Sequence, residues 1–279
     1  MTATRVATLV GHSQLAMAQA CLNSLRRTAA TPVQIVVHSD GSLGEREFDA
    51  LAGTLEGVAF VRPFEADDLV HEALARHPAC RAYRSDHVLA RKLLDIALVG
   101  EGADIAYCDA DVLFLRPFEG LFQRPDGVDA VFQADAQEAY SVRSWDFLRH
   151  PGLRLRSRVN TGIVVYRRAA FDLDLLEWFL SRPNWRRTPE WLEQTAWALL
   201  AGRLSCHLLD PSQIALASAP APDPVAIHFV SSRREGLKPA LAAWHDRGNE
   251  APERIRSLPA PRCGPLRLLR AELGRRLAR

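Results

Sequence analysis

Apolar and polar positions along the first sixty residues alternate between two periods. "RVATLVGHS" (5–13) is a short apolar run ending in small and polar residues, the pattern of a buried strand that opens into a turn. "QLAMAQACLNSLRRT" (14–28) then spaces its apolar residues as a helix does, and "PVQIVVHSDGS" (32–42) reads as a second strand closed by Asp40-Gly41. "EREFDALAGTL" and "VAFVRPF" repeat the helix and strand. Strand–helix–strand repetition predicts a parallel, doubly wound α/β sheet. Such sheets bind ligands beyond the carboxyl ends of their strands, where Gly11, His12 and Asp40 fall. His12 is also readable as an ordinary loop histidine.

A predicted helix, "SDHVLARKLLDIALVG" (85–100), runs into the strand "ADIAYCDADVLFL" (103–115). "DAVFQADA" and "SRVNTGIVVYRR" follow as strands, then "FDLDLLEWFLSRP" and "EWLEQTAWALLAG" as helices. "SCHLLDPSQIAL", the loop "SAPAPDP" and a final core strand "VAIHFVSS" complete the pattern. No internal repeat or flexible linker interrupts it. The expectation is one compact domain with a mixed, mainly parallel sheet: a first half over 1–118, a second over 119–245, and a separate tail over 246–279.

The tail changes the charge picture. Residues 254–279 carry eight arginines against one acid, Glu272, in a chain whose net charge is only +2. In "GPLRLLRAELGRRLAR", Leu266, Leu269, Leu273 and Leu277 recur at helical spacing, with Arg267, Arg270, Arg275 and Arg276 off that stripe. This is a basic amphipathic helix, suited to peripheral contact with an anionic membrane surface or to docking its leucines on the body. Gly11–Gln14 break the apolar N-terminal stretch, which argues against a secretory signal, and no run approaches a membrane span. Five scattered cysteines without metal-finger spacing fit free thiols and a cytoplasmic protein, placed by its tail at the inner face of a membrane. Nothing in the charge pattern suggests nucleic acid as a partner. Lysine occurs only twice, at Lys92 and Lys238, among 35 basic residues. Each is a candidate for a role that needs a compact ammonium rather than a guanidinium.

The candidate chemistry starts in "IAYCDADVLFLRPF" (105–118), where Asp109 and Asp111 interrupt an apolar run. Strand alternation puts both on one side of an extended segment, with Ala110 on the other. Two such carboxylates can share a divalent ion that a diphosphate ligand would complete. The plainer reading has one acid capping a turn and the other paired with an arginine such as Arg116. Phosphatases of the haloacid dehalogenase type also begin from a strand ending Asp-x-Asp. There, however, the motif lies on the first strand and needs a later acidic pair that is missing here.

The run "RKLLDIALVGEGADIAYCDADVLFLRPF" resembles the donor-binding core of GT-A-fold glycosyltransferases, in particular the retaining, family-8-like enzymes and related xylosyltransferases. "VNTGIVVYRR" resembles their Asn-x-Gly strand, Glu193-Gln194 of "LEQTAWALL" their Asp-Gln pair, and "IHFVSSRREGLKP" their closing His…Gly…Lys-Pro segment. The resemblance implies a metal-dependent transfer of a sugar from a nucleotide-diphosphate sugar, a UDP-sugar, to a hydroxyl with retention of configuration, as in lipopolysaccharide or other cell-surface glycan synthesis. It implies Asp109, Asp111 and His228 as ligands of Mn2+ (or Mg2+), with the histidine favouring manganese. Lys92, Lys238, Gly11, His12 and Asn160 would hold the donor together with the two aspartates. Gln194 would sit near the anomeric centre, Glu193 at the sugar hydroxyls, and Asp135 on the acceptor side. A glycan or lipid-linked acceptor would be the second partner. A non-catalytic nucleotide-sugar binder is the alternative. Both aspartates are expected to be site acids whose loss spares the fold. Glu193 in place of Asp, Val159 before Asn160 and the long His-to-Lys segment depart from the family pattern.

Overall fold

The computed structural model describes residues 3–182, 188–244, 247 and 250–277. The helix end expected at Pro183, the tail boundary at 245–246 and the last arginine, Arg279, lie outside the described residues. Strands β1 (Thr4–Val10) and β2 (Val33–Ser39) pair in parallel from Thr4–Val33 to Val10–Ser39, with α1 (Leu15–Thr28) between them. Helix α2 (Glu45–Thr54) leads to β3 (Ala59–Val61), which extends the parallel set, as the sequence predicts.

Helices α3 (Pro63–Ala73), α4 (Pro78–Asp86), α5 (Leu89–Leu93) and α6 (Asp95–Val99) precede β4 (Asp104–Cys108). The single helix expected over 85–100 is interrupted at Leu94, whose amide is shared between the Ala90 and Arg91 carbonyls. Arg84 of α4 reaches Asp95 of α6 through two hydrogen bonds of 2.7 and 2.8 Å, fixing the stack that carries Lys92.

Next come β5 (Val112–Phe114), β6 (Phe118–Glu119), β7 (Ala130–Ala134), α7 (Asp146–Arg149), β8 (Leu155–Arg156) and β9 (Val159–Arg167). Helices α8 (Leu173–Leu180) and α9 (Leu192–Leu200) then lead to β10 (Cys206–Leu209), β11 (Ile214–Leu216), β12 (Ala226–His228) and α10 (Leu237–Ala243). Strands β13 (Glu253–Arg254), β14 (Ser257–Pro259) and β15 (Arg262–Cys263) and helix α11 (Pro265–Leu277) end the described chain.

An eight-stranded sheet in the order β14-β10-β7-β9-β4-β1-β2-β3 is the frame. β9 runs antiparallel to both β4 and β7. The start of β9 therefore lies at the same edge as the carboxyl ends of its neighbours. Asp40, Gly11, Asp109 and Asp135 follow β2, β1, β4 and β7, and Asn160 stands at the start of β9 between the last two, so all five line one edge. One face of the sheet is covered by α8 and α9 around Trp197, Tyr166 and Phe132, all at most 1% exposed. The other packs Val6 and Leu25 against Phe114 and Phe118.

Two expectations are corrected here. The strand at "VAIHFVSS" is neither final nor part of the main sheet: β12 joins a three-stranded sheet with β11 and β5. The tail expected over 246–279 is not separate over the described residues 250–277. β14 closes the edge of the main sheet against β10, while β13 pairs with β6 and β15 with β8. Helix α11 buries Leu268 and Glu272, and Glu272 accepts the Ser144 amide at 2.9 Å. Leu266, Leu269, Leu273 and Leu277 instead face outward, 73, 41, 49 and 88% exposed, so the leucine stripe does not dock on the body. Among the described residues no helix is long and apolar enough to cross a membrane.

Candidate active site

A cleft of about 600 Å³ opens at this edge and is lined by Gly11, Lys92, Asp109, Asp111, Asp135, Asn160, Glu193, Gln194 and His228. It contains every candidate from the sequence except two. His12 is exposed and outside the lining, its ring facing Glu47 at 3.1 Å. Lys238 is exposed on α10 and does not line the cleft either. Arg116 is engaged with Glu253 at 2.7 Å and is no partner of the aspartate pair.

The two aspartates do not sit on an alternating strand. They flank Ala110 in the turn between β4 and β5. Backbone hydrogen bonds hold that turn on both sides. Asp109 N donates to the Gly162 carbonyl at 2.7 Å, and Phe229 N donates to the Asp111 carbonyl at 2.9 Å. The second bond continues the β12–β5 pairing, which sets His228 opposite Val112 and therefore beside Asp111. The "NTG" motif acts through its backbone as well. Asn160 Oδ1 accepts the Gly162 amide at 2.9 Å, while Asn160 Nδ2 donates to Asp135 at 3.3 Å. Between Phe132 and Gln133 the β7–β9 register shifts past residues 161–163, a bulge that frees this segment to face the cleft.

One ligand atom each from Asp109, Asp111 and His228 lie within 4.8 Å of one another. His228 Nδ1 lies 2.8 Å from Gln133 Oε1, and the Gln133 amide nitrogen donates to the Ala215 carbonyl at 3.4 Å. The Gln133 oxygen is thus an acceptor, which sets a proton on Nδ1 and turns Nε2 toward the aspartates, the nitrogen that a neutral ring would offer to a cation. Asp111 Oδ1 lies 3.1 Å from that Nε2 yet is a buried oxygen without a hydrogen-bond partner. An imidazole nitrogen and two carboxylates converging on one point fit a cation, and Gln133 orients the histidine from behind. The donor set of two carboxylates and one imidazole suits Mn2+ or Mg2+.

Each aspartate already carries a protein cation. Lys92 Nζ lies 2.9 Å from both carboxylate oxygens of Asp109 and 4.8 Å from the centre of the Tyr107 ring, whose hydroxyl also bonds Asp109. Burial would lower the Lys92 pKa, but Asp109 and Glu193 outweigh it and raise it, so the ammonium stays charged. On the other side Arg234 donates twice to Asp111 Oδ2, at 3.0 and 2.8 Å. Burial would raise the Asp111 pKa, but His228 and Arg234 prevail and hold it at about 2.

Deeper in the cleft, burial pushes the Glu193 carboxyl up to about 7, against the pull of Lys92 and of Thr161, whose hydroxyl donates to it at 2.8 Å. Gln194 spends its amide nitrogen on Asp135 at 3.2 Å and the Ala139 carbonyl at 3.0 Å. Its oxygen is what remains for a ligand. Trp191 lines the same wall, with the Arg275 guanidinium of α11 5.1 Å from its ring centre. Arg234, Gln133, Tyr107 and Trp191 were missed from sequence. "SSRREG" does place two arginines between His228 and Lys238, but in a chain with two lysines and 35 basic residues an arginine draws no notice.

With its sheet order, reversed β9 and acidic turn after β4, the chain has the GT-A fold. No protein-family model and no curated protein sequence matches the chain. Solved structures do match in fold. The chain is similar to mouse xyloside xylosyltransferase 1 in its apo form, with a TM-score of 0.56 and 14% identity over 84% of this chain and 99% of that one. It is similar to the galactosyltransferase LgtC in complex with donor and acceptor sugar analogues, with a TM-score of 0.50 and 14% identity over 90% and 98%. The bifunctional glycosyltransferase WbbM matches at 0.53 and 12% identity, over 82% of this chain and 46% of its own.

Proposed function

We propose that the protein is a metal-dependent glycosyltransferase that moves a sugar from a nucleoside-diphosphate sugar, a UDP-sugar, to a hydroxyl acceptor. The observation that carries this reading is the convergence of Asp109, Asp111 and His228 at the edge of the cleft of about 600 Å³. When bound there, Mn2+ or Mg2+ supplies positive charge against the leaving diphosphate, the dominant contribution to such a step. Lys92 adds a fixed ammonium beside Asp109. Gly11 and Asp40 lie at the nucleotide end, with Asn160, Glu193 and Gln194 toward the sugar. A Cβ at Gly11 would fall 2.1 Å from Asp40 Oδ2, so the glycine admits that carboxylate.

Retention is the stereochemistry that the residues favour. An inverting transfer needs a carboxylate base at the acceptor hydroxyl, and Asp135 and Glu193 are the candidates. Asp135 is committed to the Asn160 and Gln194 amides, and Glu193 is buried, with Thr161 donating to one of its oxygens. In a retaining transfer the departing phosphate accepts the proton and no such base is required. The exposed leucines of α11, flanked by the exposed Arg270 and Arg276, favour peripheral contact with an anionic membrane surface and hence a glycan or lipid-linked acceptor.

The test is a screen of nucleotide sugars with Mn2+, following thermal shift and slow donor hydrolysis, then NMR of the product anomer. Stabilisation by one nucleoside diphosphate together with hydrolysis supports the transferase. Binding without turnover leaves a nucleotide-sugar binder, and phosphate release from simple esters without nucleotide affinity leaves a phosphatase. An inverted anomer removes the role given to Gln194.

A further inference from the structure

Of the two cations that neutralise the aspartate pair, one is fixed and one is free to leave. Lys92 comes from α5, its side chain 6% exposed and enclosed by Tyr107 and Asp109. Arg234 comes from the short 3-10 segment Ser231–Gly236 at the rim of the cleft, and its side chain is 39% exposed. It nevertheless spends both Nε and Nη2 on one oxygen of Asp111, whose side chain is only 5% exposed. A buried carboxylate without a counter-charge is costly, so Arg234 stabilises the ligand-free site.

That arrangement changes once a divalent cation is held by Asp109, Asp111 and His228. The site then carries more positive than negative charge, with Lys92 already beside Asp109, and the attraction between Asp111 and Arg234 is largely cancelled. A diphosphate brings the negative charge that restores balance. A planar guanidinium with paired donors matches phosphate oxygens better than any other side chain.

We propose that Arg234 is an exchangeable counter-ion: it rests on Asp111 in the ligand-free protein and transfers to the donor diphosphate when metal and nucleotide bind together. Arg234 thus takes the diphosphate role that the family resemblance gives to Lys238, which does not line the cleft. Arg233 lines the cleft beside it but makes no contact with the aspartates. The proposal rests on the metal-dependent donor reading above and adds to it a coupling between the two ligands. Arg234 competes with metal alone and cooperates with metal plus diphosphate.

The distinguishing signature is a pair of effects of opposite sign. Mn2+ affinity is measured by electron paramagnetic resonance of the free ion, and UDP affinity by calorimetry at saturating Mn2+, on wild type, Arg234→Gln and Arg234→Lys. Arg234→Gln is expected to bind Mn2+ alone several-fold more tightly, because a competitor for Asp111 is gone. It is expected to bind UDP with Mn2+ about tenfold or more weakly, on the scale of a lost charge-assisted contact. Arg234→Lys should fall between the two in both measurements. Wild-type protein that binds neither Mn2+ nor UDP overturns the donor reading itself. Wild-type protein that binds both, with Arg234→Gln unchanged or weakened for both, overturns the exchange alone.

Discussion

Gly162 leaves the space that the His228 ring occupies. A Cβ at position 162 would fall 2.3 Å from both His228 Cε1 and Nδ1 and 2.5 Å from Gln133 Oε1. The glycine of the Asn-x-Gly motif is therefore a steric requirement of the histidine, and through it of the proposed metal site. Gly162→Ala is expected to displace the ring or the Gln133 amide, lowering Mn2+ affinity by more than about tenfold, the scale for loss of a supporting contact. Calorimetric titration with Mn2+ measures this, and unchanged affinity would separate the motif from the metal.

The two aspartates part company in stability. Asp111 faces Arg234, which reaches water, so Asp111→Asn should abolish metal-dependent UDP binding with only a small change in melting temperature. Asp109 is the counter-ion of the enclosed Lys92. Asp109→Asn should abolish binding and also cost about 3 kcal/mol, lowering the melting temperature by roughly 5–10 °C. Paired thermal melts check this, and equal losses would show that Glu193 takes over as the partner of Lys92.

Glu193 gives the stability a pH dependence with a definite sign. Its carboxyl is raised from the ordinary 4.5 to about 7, so the folded chain keeps a proton that the unfolded chain releases across that window. Stability from this group is fully present below the lower value and falls as pH rises through the upper one, by a limit of about 3 kcal/mol. Glu193→Gln should remove that component, so that urea unfolding at pH 5 and pH 8 differs less in the variant than in the wild type. An identical dependence in both would mean that burial does not hold the proton.

Membrane contact is best tested by substitution. Removing residues 254–279 would strip β14 from the main sheet and Leu268 from the core, so a truncated chain reports on folding as much as on binding. Leu269→Ser with Leu273→Ser changes only outward positions. Co-sedimentation with phosphatidylglycerol vesicles should fall about tenfold or more, while donor hydrolysis stays unchanged. Undiminished sedimentation would end the membrane assignment.

The first half of the sheet was legible because each helix and strand there carries its own period, and because β1, β2 and β3 are neighbours in sequence and in space. The meeting of Asp109, Asp111, His228 and Lys92 was legible because their residue types are unusual in their settings: acids in an apolar run, a histidine in an apolar strand, one of only two lysines. What escaped depends on long-range placement. The reversal of β9 follows from its pairing with β4 and β7, not from its own pattern. Lys238 stood out by composition, yet the turn of the chain through Ser231–Gly236 carries Arg234 into the cleft instead. The leucine stripe of α11 has helical spacing, but the face that docks is the one carrying Leu268 and Glu272, the latter meeting Ser144 in a polar contact that no hydrophobic period records.

The pairing of β12 with β5 has a consequence for assembly. Asp109 and Asp111 are made early in the chain, while the histidine beside them arrives only when a strand from near its far end is laid against the turn they occupy. Partly synthesised or clipped chains that lack β12 have the two acids without the histidine, and would hold the proposed cation weakly. In the proposed enzyme, metal capture would therefore wait for β12 to be laid against the turn, and a chain still lacking it would be kept from holding a donor.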